Sequence, residues 1–318
     1  MPEEQAAVGR ETMQGGYRES GKAVSVVIPH LNQPRALARC LASLSANTVP
    51  PDEVIVVDNG SARLPEAICA AHPRVRLARE DTPGPGPARN TGVALARGDI
   101  LAFIDADCIA APDWIAALRA RMDDPAAMVL GGAVLVAPDD PDRPTALEAY
   151  EMVFSYRMDR YLRDRGFTGA GNMVIRRAAW DAVGPFAGIE TAEDVDWCHR
   201  ATRAGLPIAH VPALRVWHPA RPRLTDLLEK SDRIAAQSWA GLRHRPGGRA
   251  RLALRALAML ALPAVEAVEL ARTRRLRGLR ARLLAFGVVC RVRWRRARVM
   301  AWLVLGGDGA ALAGRWNR

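Results

Sequence analysis

The 318-residue sequence is poor in cysteine: Cys40, Cys69, Cys108, Cys198 and Cys290 are odd in number, widely spaced and form no Cys-x-x-Cys pair. This argues against a disulfide framework and reads as reduced thiols in a cytosolic compartment. The first 22 residues lack an apolar run behind a positive segment, so no secretory signal is expected in them and they are expected to form a flexible tail. No internal repeat is present. In the C-terminal third no charge-free run exceeds the ten residues Ala256–Val265, against roughly 20 needed to span a bilayer.

What is present is ordinary for a globular chain, 49% hydrophobic and 25% charged residues, and the length suffices for a substantial core. The net charge of +11 is unevenly placed: residues 221–318 carry 22 Lys and Arg against 6 Asp and Glu, whereas the first 220 residues are net acidic. An acidic front joined to a basic back suggests two jobs, the second facing something anionic.

Val24–Ile28 is a β-branched run closed by Pro29, as a strand buried on both faces requires. Pro34 suits a first helical turn, and Leu37, Cys40, Leu41 and Leu44 then share one face. Val54–Val57 reads as a second strand and Val75–Ala78 as a third. A Gly/Pro loop at 82–87 leads into a helix stopping at Gly98, and Ile100–Ile104 is the fourth strand. Such alternation predicts parallel βαβ units and a doubly wound, mostly parallel α/β sheet, with ligands at the carboxyl ends of its strands. Asn32, Asp58 and Asp105 fall at those ends. Met128–Val136, a proline-containing linker near 138–144, Asn172–Ile175 and Ile208–Val211 are expected to complete the sheet. Three helices are predicted near 224–243, 249–271 and 274–305.

Asp105-Ala106-Asp107 places two carboxylates on one side of an extended segment, able to hold a divalent cation against a diphosphate; a solvated loop tripeptide is the alternative. The Gly-Pro-Gly-Pro loop offers a helix N-terminus to phosphate oxygens, with Arg89 and Asn90 as further donors, unless it is a mere connector. Asp58 could accept from a base or ribose, or belong to an Asp-Asn-Gly turn. Glu193-Asp194 opens a helix where a carboxylate could act as general base, although Thr191–Asp194 also fits a capping box. His218 is either a third metal ligand or a surface histidine.

Taken together, Val-Ser-Val-Val-Ile-Pro-His-Leu-Asn (24–32), Val-Val-Asp-Asn-Gly-Ser (56–61), Gly-Pro-Ala-Arg-Asn-Thr-Gly (86–92), Asp-Ala-Asp (105–107), Gly-Asn-Met-Val-Ile-Arg-Arg (171–177), Glu-Asp-Val-Asp-Trp-Cys-His-Arg (193–200) and His218 closely resemble the family 2 glycosyltransferases of GT-A fold. The resemblance covers residues 23–220 and implies an inverting transfer from a nucleotide-sugar. It divides the catalytic domain into a nucleotide-sugar half (23–107) and an acceptor half (108–220), followed by a basic helical region (221–318).

The resemblance further implies a donor site of Pro29, Asn32, Asp58, Arg89, Asn90 and Asp105, and a Mn²⁺ or Mg²⁺ site of Asp105, Asp107 and His218. Asp194 would be the catalytic base with Glu193 in support, and Asn172 and Trp197 would lie by the acceptor, plausibly a glycan or glycolipid of the cell surface. Two departures stand out: His30 occupies a place where Thr or Tyr is more usual, and the Gln-x-x-Arg-Trp signature of processive synthases is absent, so transfer of a single sugar is expected.

Two other readings stay open. A nucleotidyltransferase shares the sheet and the metal logic but has no need of Glu193-Asp194. A non-catalytic protein would use the basic region on nucleic acid, although few aromatics interleave with its arginines, which disfavours that partner.

Near the C-terminus, Leu276, Leu279, Leu283, Phe286, Cys290, Trp294, Ala297, Ala301 and Val304 form one helical stripe flanked by Arg277, Arg280, Arg291, Arg295 and Arg298. This pattern predicts peripheral contact with the inner face of the cell membrane. Its alternative is packing of the stripe on the catalytic domain.

Overall fold

The computed structural model describes residues 23–261, 263–309 and 312. The tail expected at residues 1–22 lies outside the described residues.

The chain begins with β1 (Val24–His30), α1 (Pro34–Ser45), β2 (Glu53–Asp58), α2 (Glu66–Ala70), β3 (Val75–Arg79), α3 (Pro85–Leu95) and β4 (Ile100–Ile104). These four strands are parallel in the order β3-β2-β1-β4. Alternation along β1 explains the sandwich. Val24, Val26 and Ile28 pack with Leu37, Cys40, Leu41 and Leu44 of α1, while Val27 turns to the opposite core with Val93 of α3. A Cβ at Gly92 would sit 2.3 Å from Val27 Cγ1, so α3 can lie this close to the sheet only with glycine there.

The second part comprises β5 (Ile109–Ala110), α4 (Trp114–Met122), β6 (Val129–Ala137), α5 (Ala146–Phe154), α6 (Met158–Arg165), β7 (Asn172–Arg176), α7 (Arg177–Val183), α8 (Glu193–Arg203) and β8 (Ile208–Pro219). It extends the sheet as β4-β7-β6-β8-β5. β7 is antiparallel to both β4 and β6, and β5 is antiparallel to β8. The result is a mixed, eight-stranded sheet, parallel in its first four strands and joined by antiparallel pairing at β7 and β5.

Four features differ from expectation. β1 runs through Pro29 to His30, because a proline is tolerated where no ladder N–H is needed. α3 ends at Leu95, and Gly98 is instead pressed against β1, where a Cβ would meet Ala23 O at 2.5 Å. β8 continues far beyond Val211. The last region holds four helices: α9 (Leu224–Ala240), α10 (Gly248–Leu260), α11 (Ala264–Arg272) and α12 (Gly278–Val304). Pro263, at the N-cap of α11, divides the helix expected over 249–271.

These helices share a core with the catalytic part. Ala149 and Val153 of α5 pack with Leu270, Leu276, Ala281, Ala285 and Val289. Arg157 and Arg160 both reach Glu269 of α11.

Candidate active site

The carboxyl ends of β1, β2 and β4 open onto one side of the sheet. At β4, Asp105 is followed by Ala106, which is buried, and by Asp107. A Cβ at Gly171 would lie 2.5 Å from Asp105 Oδ2, so the turn before β7 must be bare to admit this carboxylate. His218 near the end of β8 brings Nε2 to 3.3 Å from Asp107 Oδ2. Burial alone would raise the Asp107 carboxyl and lower the imidazole. Their mutual hydrogen bond outweighs this, so Asp107 is held below and His218 above the usual value. Tyr156, with a positive φ of 50°, turns its hydroxyl onto the same imidazole.

Arg89 donates through one guanidinium nitrogen to Glu193 Oε1 and through the other to Asp105 Oδ1, both at 2.7 Å. It is itself buried beneath these groups. This corrects its expected place at a donor phosphate: it ties the start of α8 to the end of β4. Asn90 likewise faces away, its amide bonded to both the N–H and the carbonyl of Phe186. The Gly-Pro loop is no phosphate cradle either. Pro85 and Pro87 remove two of the first N–H groups of α3, and Gly84 N–H donates to Asn59 Oδ1.

Asp58 is fully buried, with Oδ2 bonded to His30 Nδ1 at 2.9 Å and Oδ1 accepting from Ser61 N–H. Burial raises its pKa, but the bonds from Ser61 and His30 prevail and hold it low. The carboxylate therefore organises the β1–β2 ends instead of meeting a base, and His30 is its dedicated partner. Pro29 lies half-buried in β1, and Asn32, exposed, caps the loop by accepting from Ala62 N–H.

Asp194 does not cap α8. The N-cap is Ala192 and no side chain serves it, so the capping box expected of Thr191 is not formed. Asp194 instead lines a cavity of about 570 Å³ together with Asp105, His218, Gly169 and Gly171. Burial, and then the neighbouring Glu193 charge, push its pKa upward.

Two expected acceptor residues are structural. Trp197 is fully buried, stacked with Trp180, and its indole N–H donates to Gly184 O. Asn172 is also fully buried and bridges three elements: Oδ1 accepts from Trp114 Nε1, and Nδ2 donates to Ala133 O and Leu214 O. The β6–β8 register shifts between Gly132 and Ala133. Asn172 bonds the carbonyls of Ala133 and Leu214 that flank this irregularity.

Likeness to known proteins identifies the family. Residues 25–184 match glycosyl transferase family 2. The chain belongs to that family. It is 32% identical over 219 residues to glycosyltransferase AglE of Haloferax volcanii, covering 66% of this chain and 71% of that protein. It is 30% identical over 223 residues to the pre-mycofactocin glycosyltransferase of Mycobacterium tuberculosis, of which it spans less than half, 46%. The fold resembles that of a mannosyltransferase from Pyrobaculum calidifontis solved with GDP-Man and Mn²⁺, with TM-score 0.56 and 20% identity over 89% of this chain and 87% of that one. Family membership and the GT-A fold make the protein a glycosyltransferase.

Proposed function

We propose that this glycosyltransferase transfers a single sugar, with inversion, from a nucleotide-sugar to an acceptor hydroxyl. The observation that carries this reading is the shared cavity of Asp194, Asp105 and His218. An Asp194 oxygen takes the hydroxyl proton as the acceptor oxygen bonds to the anomeric carbon, and the nucleoside diphosphate departs from the opposite face with its bonding electrons. One displacement inverts the centre. The raised pKa suits a general base.

Carboxylate and imidazole donors at Asp105, Asp107 and His218 fit Mn²⁺ or Mg²⁺. Among the described residues no three His, Cys, Asp or Glu side chains form a metal site on their own, so donor phosphates would have to complete the coordination. A bound cation would neutralise charge developing on the leaving diphosphate. The decisive experiment is a screen of nucleotide-sugars with each metal. Release of free nucleoside diphosphate supports the reading, whereas pyrophosphate release would establish a nucleotidyltransferase.

The acceptor is placed at a membrane surface, in glycolipid or cell-surface glycan synthesis, with the enzyme on the cytoplasmic face. Along the stripe of α12, Leu279, Leu283 and Trp294 are 70%, 61% and 56% exposed. Part of the stripe packs inward, Leu276 and Ala297 being buried, but most of the inward seam of α12 runs through Ala281, Ala285, Val288, Val289, Val292, Val299 and Leu303. Leu254, Leu257 and Leu260 of α10 are exposed as well. Apolar residues left in water beside arginines suit an anionic bilayer surface. No helix among the described residues is long and apolar enough to cross a membrane.

A further inference from the structure

The cavity that holds Asp194 is lined in part by the C-terminal helices. Leu227, Lys230, Ser231, Ile234 and Ser238 of α9 and Arg296 of α12 share its lining with Asp194 and Asp105. Phe154, Tyr156, Tyr161 and Phe167 add an aromatic wall.

Of the 45 basic residues in the chain, only Lys22 and Lys230 are lysines. A sequence that uses arginine almost everywhere places a lysine at this cavity. A lysine ammonium is a compact point charge that reaches one oxyanion from several directions, whereas a guanidinium imposes a planar fork. Lys230 Nζ lies 5.4 Å from the ring centre of Tyr156. Among the described residues it makes no hydrogen bond or ion pair.

The nearby charges are otherwise accounted for. Glu151, fully buried, is matched by Arg221 through both its side chain and its backbone N–H. Asp232 is matched by Arg295. Arg296 donates to Ser231 Oγ at 2.7 Å and pairs with no carboxylate among the described residues. Lys230 and Arg296, with Arg165 beside them in the lining, thus face this cavity with no carboxylate in ion-pair contact among the described residues. Burial, and then the adjacent Arg221 charge, bring the Lys230 ammonium down to about 8 against the opposing pull of Glu151 and Asp194, the mark of a cation short of solvation.

We propose that the acceptor carries an anionic group, a phosphate or a carboxylate, close to the hydroxyl that is glycosylated, and that Lys230, assisted by Arg296, receives it. This rests on the transferase reading above and adds the class of acceptor. The aromatic wall accommodates the portion that bears the anion. The cations orient the acceptor so that its hydroxyl meets Asp194.

The test is calorimetry on the full chain with its donor side saturated by UDP or GDP and Mn²⁺, using hexyl phosphate, hexanoate and hexanol as probes. Hexyl phosphate or hexanoate should bind at least tenfold tighter than hexanol, and whichever is tighter names the group. Lys230→Met should weaken the anionic probe about tenfold, as loss of a charge-assisted bond implies. Hexanol and nucleotide affinities should stay unchanged. Lys230→Arg should retain part of the preference, and Arg296→Gln should give a smaller loss in the same direction should Lys230→Met fold poorly. The proposal is overturned if no probe binds, if hexanol binds as well as the anions, or if Lys230→Met is silent. It is equally overturned if Lys230→Met weakens the nucleotide as much as the probe, for Lys230 would then serve the donor. Failure of nucleotide-sugar hydrolysis would strike the transferase reading instead.

Discussion

His218 and Asp107 are brought together by a strand of two residues. β5 pairs with β8 so that Ile109 faces Trp217, and this register sets the imidazole beside the carboxylate. Replacing either side chain by alanine should abolish the gain in nucleoside diphosphate affinity that Mn²⁺ provides, because one ligand fewer leaves too weak a chelate. Calorimetry with and without metal reads this directly, and an unchanged metal effect would refute the pair as ligands.

Arg89→Met leaves Glu193 buried without its cation and releases Asp105 from its anchor. Breaking a buried pair from one side costs about 3–5 kcal/mol. The lower end is expected, since the Asp105 side chain retains 37% exposure. Urea denaturation should show this loss alongside lost activity. Arg89→Lys should recover little, as one ammonium cannot reproduce the fork that bridges both carboxylates.

Asp194→Asn should lower transfer by roughly 10²–10⁴-fold with donor binding intact. The base must be ionised, so kcat/KM should rise with pH through a value above that of an ordinary aspartate, because burial and Glu193 raise its pKa. Stability runs the other way. A carboxyl whose folded pKa is raised favours the native state below the unfolded pKa, and this contribution is lost as pH climbs through the folded one. At neutral pH Asp194→Asn should therefore be at least as stable as the parent chain while being far less active. Activity within a few-fold of the parent would exclude Asp194 as the base.

Asn172→Leu should destabilise the chain by several kcal/mol, since Trp114 Nε1, Ala133 O and Leu214 O each lose a buried partner at about 1–3 kcal/mol. Were Asn172 an acceptor contact, the variant would instead fold normally and raise the acceptor KM.

The full chain should float with anionic liposomes, lose most of this binding at high salt, and lose it as well in Leu279→Glu/Leu283→Glu. Those two leucines touch no catalytic group, so hydrolysis of the donor in solution should be untouched. No flotation, or flotation indifferent to the substitutions, would remove the membrane contact.

The strands that carry Asp58 and lead to Asp105 were legible because each side of the sheet is covered there, which writes β-branched runs into the sequence, whereas the partly exposed stretch of β8 that carries His218 was not. Asp-x-Asp and Glu193-Asp194 were legible as spacings. What spacing cannot reveal is which way a side chain turns. Arg89, Asn90, Asn172 and Trp197 stand in motif positions, yet all four are bonded inward by long-range partners more than ten residues away. Lys230 was visible as a rarity of composition, but its cavity exists only once α9 docks beside α5 and α6. The stripe on α12 showed an apolar face, and periodicity was silent about the second, smaller-residue seam that does most of the packing while Leu276 and Ala297 of the stripe join it.

Gly171 contributes to this enzyme by having nothing to contribute. The space a methyl group would take is occupied by an oxygen of Asp105, so a saturation scan would score position 171 as intolerant as the carboxylates themselves. Such a scan, read without coordinates, would nominate a catalytic residue with no functional group. What selection would hold constant there is a volume of empty space.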